Sequence, residues 1–294
     1  MTINRRNEYA LLALLALFWG SSYLFIKVAV AEIPPLTLIA LRVSGASALL
    51  FLVLAARREK LPRGGGLWLR LGVQSLLNST AAWTLLAWGQ QHVDAGLASV
   101  LNSTSPIFVF LFTALVTRHE ATGGRKFLGA VLGLVGVVLI VGVDALAGLG
   151  LSVAGQLACL VGAMMYAGAA IYGKRFAGLG ALQTALGTLL WATAVLVPAA
   201  FLFEDPLVLT PSPKAMAATA MLSVFCTGVA MLIYFRLIHT LGSLGVASQS
   251  YLRAGVGVIL GVIVLGEVIT PVVMLGLLAA IVGVAMINVP ARPR

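Results

Sequence analysis

Apolar runs of about twenty residues recur along the whole chain, separated by short segments that contain charged residues, Pro or Gly. A helix of that length crosses the hydrocarbon core of a bilayer. Only 10% of the 294 residues are charged and the mean hydropathy is +1.06, whereas soluble domains have about 25% charged residues. The runs therefore predict an all-α membrane protein and exclude a soluble enzyme.

Ten of these runs are predicted to be transmembrane helices, with limits taken from the flanking charged and turn-forming residues. The predicted helices cover residues 9–31, 35–56, 67–89, 95–117, 127–143, 151–173, 181–203, 215–238, 243–266 and 271–289.

The basic residues predict the orientation of these helices. Fifteen of the 19 Lys and Arg residues lie in alternate segments on the side of the N terminus, and one, Lys214, lies on the other side. The remaining three, Lys27, Arg42 and Arg253, lie within predicted helices. Because cytoplasmic segments carry the excess of Lys and Arg, both termini are predicted to be cytoplasmic.

The same distribution explains the net charge of +10 without a nucleic-acid partner, because the basic residues form no continuous face. The two Cys residues, Cys159 and Cys226, both lie in apolar runs and are interpreted as packing residues. Neither a disulfide, a metal site nor a bound cofactor is predicted. The predicted partners are a small-molecule substrate and the lipid bilayer, and a monomer is a plausible state.

The chain matches itself at an offset of 147 residues, which aligns Trp19 with Tyr166 and Gly129 with Gly276. Two five-helix repeats, residues 9–143 and 151–289, are therefore predicted. Since five crossings is an odd number, the second repeat must enter the membrane from the opposite side. Inverted repeats of this kind are typical of secondary transporters, which alternate access around a site near the midplane.

Residues of the repeats also carry a family resemblance: Phe18 to Ser22, Lys27, Pro34, Arg42, 96–99, Pro106, Glu120, Gly129 and Gly136. With them the chain resembles the drug/metabolite transporter superfamily, specifically the EamA-type exporters with ten helices. Within that family it looks most like amino-acid exporters of the YddG type. The second half departs from the pattern, because Gly255 stands where a proline would match Pro106 and no arginine matches Arg42.

Polar and aromatic side chains deep in the predicted helices are the candidates for substrate contact, because such groups are costly in a membrane. Arg253 lies about 15 Å into its helix and either holds a substrate carboxylate or pairs with backbone carbonyls. A structural role is favoured for Arg42 and Lys27. Trp19 lies too deep for the interfacial aromatic belt, so it and Tyr166 are interpreted as cavity walls, with simple packing as the alternative.

Ser99, Asn102 and Pro106 share one helix face, and the matching positions in the second repeat are Ser248, Tyr251 and Gly255. Pro106 and Gly255 are the predicted gating positions, since a proline frees a backbone carbonyl and bends a helix. The full predicted substrate-binding set is Trp19, Asn78, Trp83, Ser99, Asn102, Tyr166, Trp191, Ser248, Tyr251 and Arg253.

The resemblance implies a secondary transporter that exports amino acids or similar small metabolites across a bacterial inner membrane. A multidrug exporter of the same superfamily is the alternative. A membrane-embedded enzyme is disfavoured because no reactive set of residues is found. No carboxylate lies in the middle of a predicted helix, which favours facilitated efflux, or some other coupling, over a buried carboxylate that shares proton and substrate.

Overall fold

The computed structural model describes residues 5–93, 95–117, 123–141, 152–256 and 270–288, and these ranges contain helices and turns but no strand. The helices are α1 (Arg5–Val30), α2 (Pro35–Ala56), α3 (Gly65–Ser75), α4 (Ala81–His92), α5 (Ala95–Asn102), α6 (Ser105–Phe112), α7 (Gly124–Val141), α8 (Val153–Tyr172), α9 (Ala181–Phe203), α10 (Pro213–Ser223), α11 (Ala230–Thr240), α12 (Gly242–Ala247), α13 (249–256) and α14 (Pro271–Asn288).

Several of these helices are joined by π-helical turns rather than by loops. The π segments are Leu76–Thr80 between α3 and α4, Thr113–Thr117 after α6, and Val224–Val229 between α10 and α11. A π turn adds one residue to a helix and disturbs its regular hydrogen bonding, and such turns are frequent at functional sites.

The predicted all-α fold is confirmed, but the number of spans is not. Within the described ranges, six helices are long and apolar enough to cross a bilayer, and 100–116 is a shorter apolar helix. The count of ten therefore stays a prediction. Residues 257–266 of the predicted ninth span lie outside the described part of the chain.

The predicted fourth helix is divided at Ser103 and Thr104, where α5 ends and α6 begins. Pro106 lies in the first turn of α6, a position where its missing N–H and fixed φ are tolerated. The Thr104 hydroxyl donates to the Leu101 carbonyl at 2.6 Å. The second predicted gating position, Gly255, lies within α13, and a turn at Ser248 separates α12 from α13.

Helix packing joins the first half of the chain to the second. The main contacts are α1 with α10, α2 with α9, α4 with α8, and α7 with α14. Small residues allow the closest of these: a Cβ at Gly136 would lie 2.5 Å from the Ala280 nitrogen, and a Cβ at Gly283 would lie 2.6 Å from the Gly129 carbonyl oxygen. Backbones that approach so closely require glycine, as membrane helix interfaces commonly do.

Hydrogen bonds at the two ends of the bundle show which helix ends lie together. The Tyr9 hydroxyl at the start of α1 donates to the Asn288 carbonyl at the end of α14, at 3.2 Å. At the opposite end, the Glu204 carboxylate after α9 accepts the backbone N–H groups of Leu36 and Thr37 in the first turn of α2, at 3.0 and 2.6 Å. A carboxylate is favourable there because the helix N terminus carries partial positive charge. We refer to these as the terminal end and the Glu204 end.

Candidate functional site

A cavity of about 440 Å³ lies between the two halves of the chain. Residues of α1, α2, α4 and α5 form one wall, and residues of α8, α10 and α13 form the other. Its lining is Trp19, Ser22, Leu24, Ile26, Val30, Pro35, Leu38, Ile39, Arg42, Trp83, Leu86, Ala87, Asn102, Tyr166, Leu222 and Arg253. Because the lining follows α1 from Trp19 to Val30 and continues at the start of α2, the cavity extends from the centre of the bundle towards the Glu204 end.

Arg42 reaches the cavity from α2 and is held by the π segment after α10. Its Nε donates to Thr227 Oγ1 at 2.6 Å and its Nη2 donates to the Cys226 carbonyl at 3.1 Å. Its guanidinium carbon lies 4.2 Å from the centre of the Trp83 ring, which is close enough for a cation–π interaction. A fixed positive charge is thus held beside an indole in the cavity wall.

Trp19 is held by the same carbonyl as Arg42. Its indole N–H donates to the Cys226 oxygen at 3.0 Å, and its ring lies 6.4 Å from Tyr166 and 5.4 Å from Tyr234, measured between centroids. These distances are typical of aromatic pairs. Trp19 and Tyr166, which the repeat aligned, therefore meet in the cavity wall.

Arg253 reaches the cavity from α13. Its guanidinium carbon lies 5.7 Å from the Trp19 ring centre, and within the described residues it has neither a hydrogen-bond partner nor a carboxylate partner. Gly20 explains the proximity of the two helices, since a Cβ there would lie 3.2 Å from the Arg253 carbonyl oxygen. Sequence analysis left the role of Arg253 open, and the structure places its charge on an aromatic face inside the cavity.

A second, smaller void of about 20 Å³ adjoins Trp19, Tyr166 and Arg253 and extends to Tyr234 and Gln249. At the terminal end, a charged network joins α1 to α11. Glu8 of α1, only 1% exposed, accepts from Arg236 Nη2 of α11 at 2.6 Å and from the Thr240 hydroxyl at 2.7 Å.

The structure brings five of the predicted binding residues to the large cavity: Trp19, Trp83, Asn102, Tyr166 and Arg253. Three others pack elsewhere. The Trp191 indole N–H donates to the Trp68 carbonyl at 2.8 Å, on the surface of the bundle. Asn78 is buried in the first π segment, where it accepts from the Ser79 hydroxyl. Tyr251 is fully buried and its hydroxyl donates to the Ala130 carbonyl on α7.

The remaining predicted positions also lie outside the cavity lining. Ser248 is buried and accepts a hydrogen bond from Asn288 Nδ2 of α14 at 2.9 Å. Gly255 faces Leu277, whose side chain would lie 3.1 Å from an added Cβ. Pro106 is buried at the start of α6. The side chains of Ser99 and Lys27 lie outside the described part of the structure.

Sequence reasoning did not assign Arg42 to the site and did not select Ser22, Tyr234 or Gln249. The sequence does show that Arg42 is an arginine inside a predicted helix, and this is the feature that could have marked it as a site residue. Its distance to Trp83, however, depends on how α2 packs against α4. Tyr234 and Gln249 carry no repeat match or motif. Ser22 lies three residues after Trp19, and its hydroxyl donates to the Trp19 carbonyl at 2.7 Å.

The model of the EamA-like transporter family matches residues 7–142 and 153–289. The chain belongs to the EamA-like transporter family. This confirms the resemblance on which sequence analysis relied, and the two matched ranges contain both walls of the cavity.

Relatives of this EamA-like chain include the uncharacterized inner membrane transporter YedA of Escherichia coli K12, which is 27% identical over 288 residues, 96% of this chain and 92% of YedA. An uncharacterized transporter of Archaeoglobus fulgidus is 30% identical over 255 residues, 84% of this chain and 85% of its own length. A protein of known crystal structure shares the fold, with a TM-score of 0.82 at 19% identity across 97% of this chain and 98% of the other.

The family and these relatives indicate a multi-pass membrane transporter rather than an enzyme. In this EamA-like protein the large cavity is the candidate transport site.

Proposed function

We propose that this protein is a secondary transporter that exports amino acids or similar small metabolites across a bacterial cytoplasmic membrane. Ten transmembrane helices form two inverted repeats, residues 9–143 and 151–289, and both termini are cytoplasmic. The observation that carries the proposal is the position of the cavity, which is lined by both halves of the chain and lies between them. A site between two halves becomes accessible from either side when one half rocks against the other.

The packing of the two halves supports the inverted repeat. Gly129 and Gly136 of α7 align with Gly276 and Gly283 of α14 in the sequence offset. In the structure Gly129 contacts Gly283, and Gly136 contacts Gly276. This is the self-complementary pattern that a two-fold axis produces. The pairs α1 with α11 and α4 with α8 are related by the same exchange.

The state of the two ends supports alternating access. The cavity extends towards the Glu204 end, whereas the terminal end is closed by Glu8, Arg236 and Thr240. With the termini in the cytoplasm, this is an outward-facing conformation. Opening the terminal end requires α1 and α11 to separate, which breaks the ion pair between Glu8 and Arg236.

The cavity chemistry disfavours the multidrug alternative. Within the described residues, two arginines and no carboxylate line the cavity. Lipophilic cations would meet positive charge without a compensating acid, so small metabolites that carry a carboxylate fit this wall better.

Efflux from proteoliposomes tests the proposal. The purified protein is reconstituted, a panel of radiolabelled amino acids and small carboxylates is loaded, and flux is followed with and without an imposed pH gradient. Saturable flux of a member of the panel supports transport. Flux that follows the pH gradient against the substrate gradient would contradict facilitated efflux. If the panel shows no saturable flux while lipophilic cations do, the multidrug alternative replaces the proposal.

A further inference from the structure

We propose that the cavity selects substrates with a net negative charge, namely organic monocarboxylates with an apolar or aromatic body, over zwitterionic amino acids of the same size. This inference rests on the proposed transport function and narrows its substrate class. The observation that carries it is that two guanidinium groups line one apolar cavity without a carboxylate among the described lining residues.

Both guanidinium groups lie over indole rings, Arg42 over Trp83 and Arg253 over Trp19. An indole face attracts a cation but leaves the N–H groups at the edge of the guanidinium plane available. Arg42 uses its Nε and Nη2 on the protein. Arg253 has no such hydrogen bond within the described residues, so its donors are available to a carboxylate, which guanidinium binds in a planar, two-point geometry.

The other lining residues determine which kind of ligand body can carry the carboxylate. Most lining residues are aliphatic, among them Leu24, Ile26, Leu38, Ile39 and Leu222. A volume of about 440 Å³ lies in the range of small-ligand sites. A ligand with an apolar body and one anionic group therefore complements the lining of this cavity.

The ammonium group of a zwitterion has no matching carboxylate among the lining residues that the structure describes. An aromatic face is the usual alternative partner for an ammonium group, but two of the three aromatic rings among the described lining residues, Trp19 and Trp83, already lie beside guanidinium groups. Each additional positive charge also adds to a site that already carries two guanidinium groups, in surroundings where charges are screened less than in water. The same body without the ammonium group should therefore bind more tightly.

Binding of four ligands that share a phenyl ring tests the inference. Calorimetry in nanodiscs of zwitterionic lipid compares 3-phenylpropionate, phenylalanine, 3-phenylpropanamide and 3-phenylpropylamine. We expect 3-phenylpropionate to bind tightest. The amide should bind at least about tenfold weaker because it loses a hydrogen bond between two charged groups, and phenylalanine should also bind at least about tenfold weaker because its ammonium group adds positive charge beside two guanidinium groups. The amine should show no saturable binding.

Arg253→Gln identifies the group responsible. It should weaken 3-phenylpropionate by at least about tenfold and change amide binding by less than about threefold, a pattern that general loss of packing would not produce. Arg253→Lys retains the charge, so its affinity for 3-phenylpropionate should lie between those of the wild type and Arg253→Gln. Arg175→Gln is the matched control, because Arg175 also lies over an aromatic ring, Tyr172 at 5.0 Å, but is not in the cavity lining.

Three results would overturn the inference: equal binding of the acid and its amide, tighter binding of phenylalanine than of 3-phenylpropionate, or no binding of any of the four. All three results are obtained with the wild-type protein, so none of them depends on whether a variant folds. They are also distinguishable from failure of the proposed function, since saturable phenylalanine flux together with tighter phenylalanine binding would support transport while removing the preference for anions.

Discussion

At the residue scale, one backbone carbonyl organises the site. Cys226 lies in the π segment Val224–Val229, and its oxygen accepts hydrogen bonds from both Trp19 and Arg42. In a regular helix that oxygen would accept the N–H four residues later. The π turn changes this pattern, so side chains of α1 and α2 are tied to the same point.

Trp19→Phe keeps an aromatic ring but removes the donor to Cys226. We expect a several-fold rise in the KM for transport, because the aromatic ring beside Arg253 is no longer held in place by a hydrogen bond. We also expect the free energy of unfolding to fall by about 1 kcal/mol, because that hydrogen bond is lost. Trp191→Phe is the control, since it also removes one indole-to-carbonyl bond but lies outside the cavity. Radiolabelled flux and thermal unfolding measure the two effects, and an equal KM in both variants would contradict the assignment of Trp19.

At the element scale, close glycine contacts hold α7 against α14. Hydrogen-bonded carboxylates hold the ends of other helices together. Before Asn288 at its end, α14 has no polar side chain to direct its packing. The position of its small residues, Gly276, Ala280 and Gly283, therefore decides which side faces α7. The offset of 147 residues aligns Gly129 and Gly136 with Gly276 and Gly283, but it does not predict that α7 and α14 meet. Their cross-pairing with Gly283 and Gly276 required the tertiary structure.

Gly136→Val should destabilise the protein by about 1–3 kcal/mol or more, because its Cβ would lie 2.5 Å from the Ala280 nitrogen, a backbone atom that cannot move alone. Gly66→Ala is the control, since nothing lies within 4 Å of a Cβ there. The measurement is the thermal unfolding midpoint in detergent. An unchanged midpoint for Gly136→Val would show that the α7 and α14 contact is looser than the structure has it.

Glu32 makes the Glu204 end sensitive to acid. The Ser212 backbone N–H and hydroxyl donate to its carboxylate at 2.6 and 2.7 Å, and the backbone hydrogen bond is the main reason that the pKa of Glu32 lies below its ordinary value of 4.5. Since the folded pKa is the lower one, the stabilisation is complete above pH 4.5 and is lost as the pH falls through the folded pKa.

Glu32→Gln should therefore lower the unfolding midpoint near neutral pH and reduce its fall at acidic pH. Glu59→Gln, at an exposed position in the segment after α2, is the control and should leave the pH profile unchanged. Thermal unfolding from about pH 6 to about pH 3 measures both. Parallel profiles for the wild type and Glu32→Gln would contradict a role for this hydrogen-bonded carboxylate.

At the scale of the whole molecule, the proposed closure of the terminal end rests on the contacts of Glu8 with Arg236 and Thr240. Its carboxylate is buried, and the side chain of its partner Arg236 is 55% exposed. The pair can separate only if α1 and α11 also move apart, because water must then solvate the carboxylate that packing buries here. It is therefore suited to hold one end closed in one state and to release it in another.

Glu8→Gln should open the terminal end more often. The two native cysteines are buried, so Ala170→Cys, next to the small void, provides a reporter thiol. We expect Glu8→Gln to raise its labelling by a membrane-impermeant maleimide added from the side of the termini. Glu32→Gln, which weakens the opposite end, should not, and a Glu8→Arg, Arg236→Glu exchange should restore slow labelling. Equal rates with and without Glu8→Gln would remove this closure from the mechanism.

The sequence by itself determined the class of the protein, because runs of apolar residues are a local property that needs no knowledge of packing. It also determined the family, and it identified Trp19, Tyr166 and Arg253 as unusual side chains at depth. Only the tertiary structure decided that Arg42 and Trp83 meet, that Trp191 and Tyr251 pack away from the cavity, and that Glu8 pairs with Arg236. Those outcomes depend on how each helix is rotated and on the distances between helices that are far apart in the chain. Close glycine contacts and π turns set both, and the periodicity of residues within one helix does not reveal them.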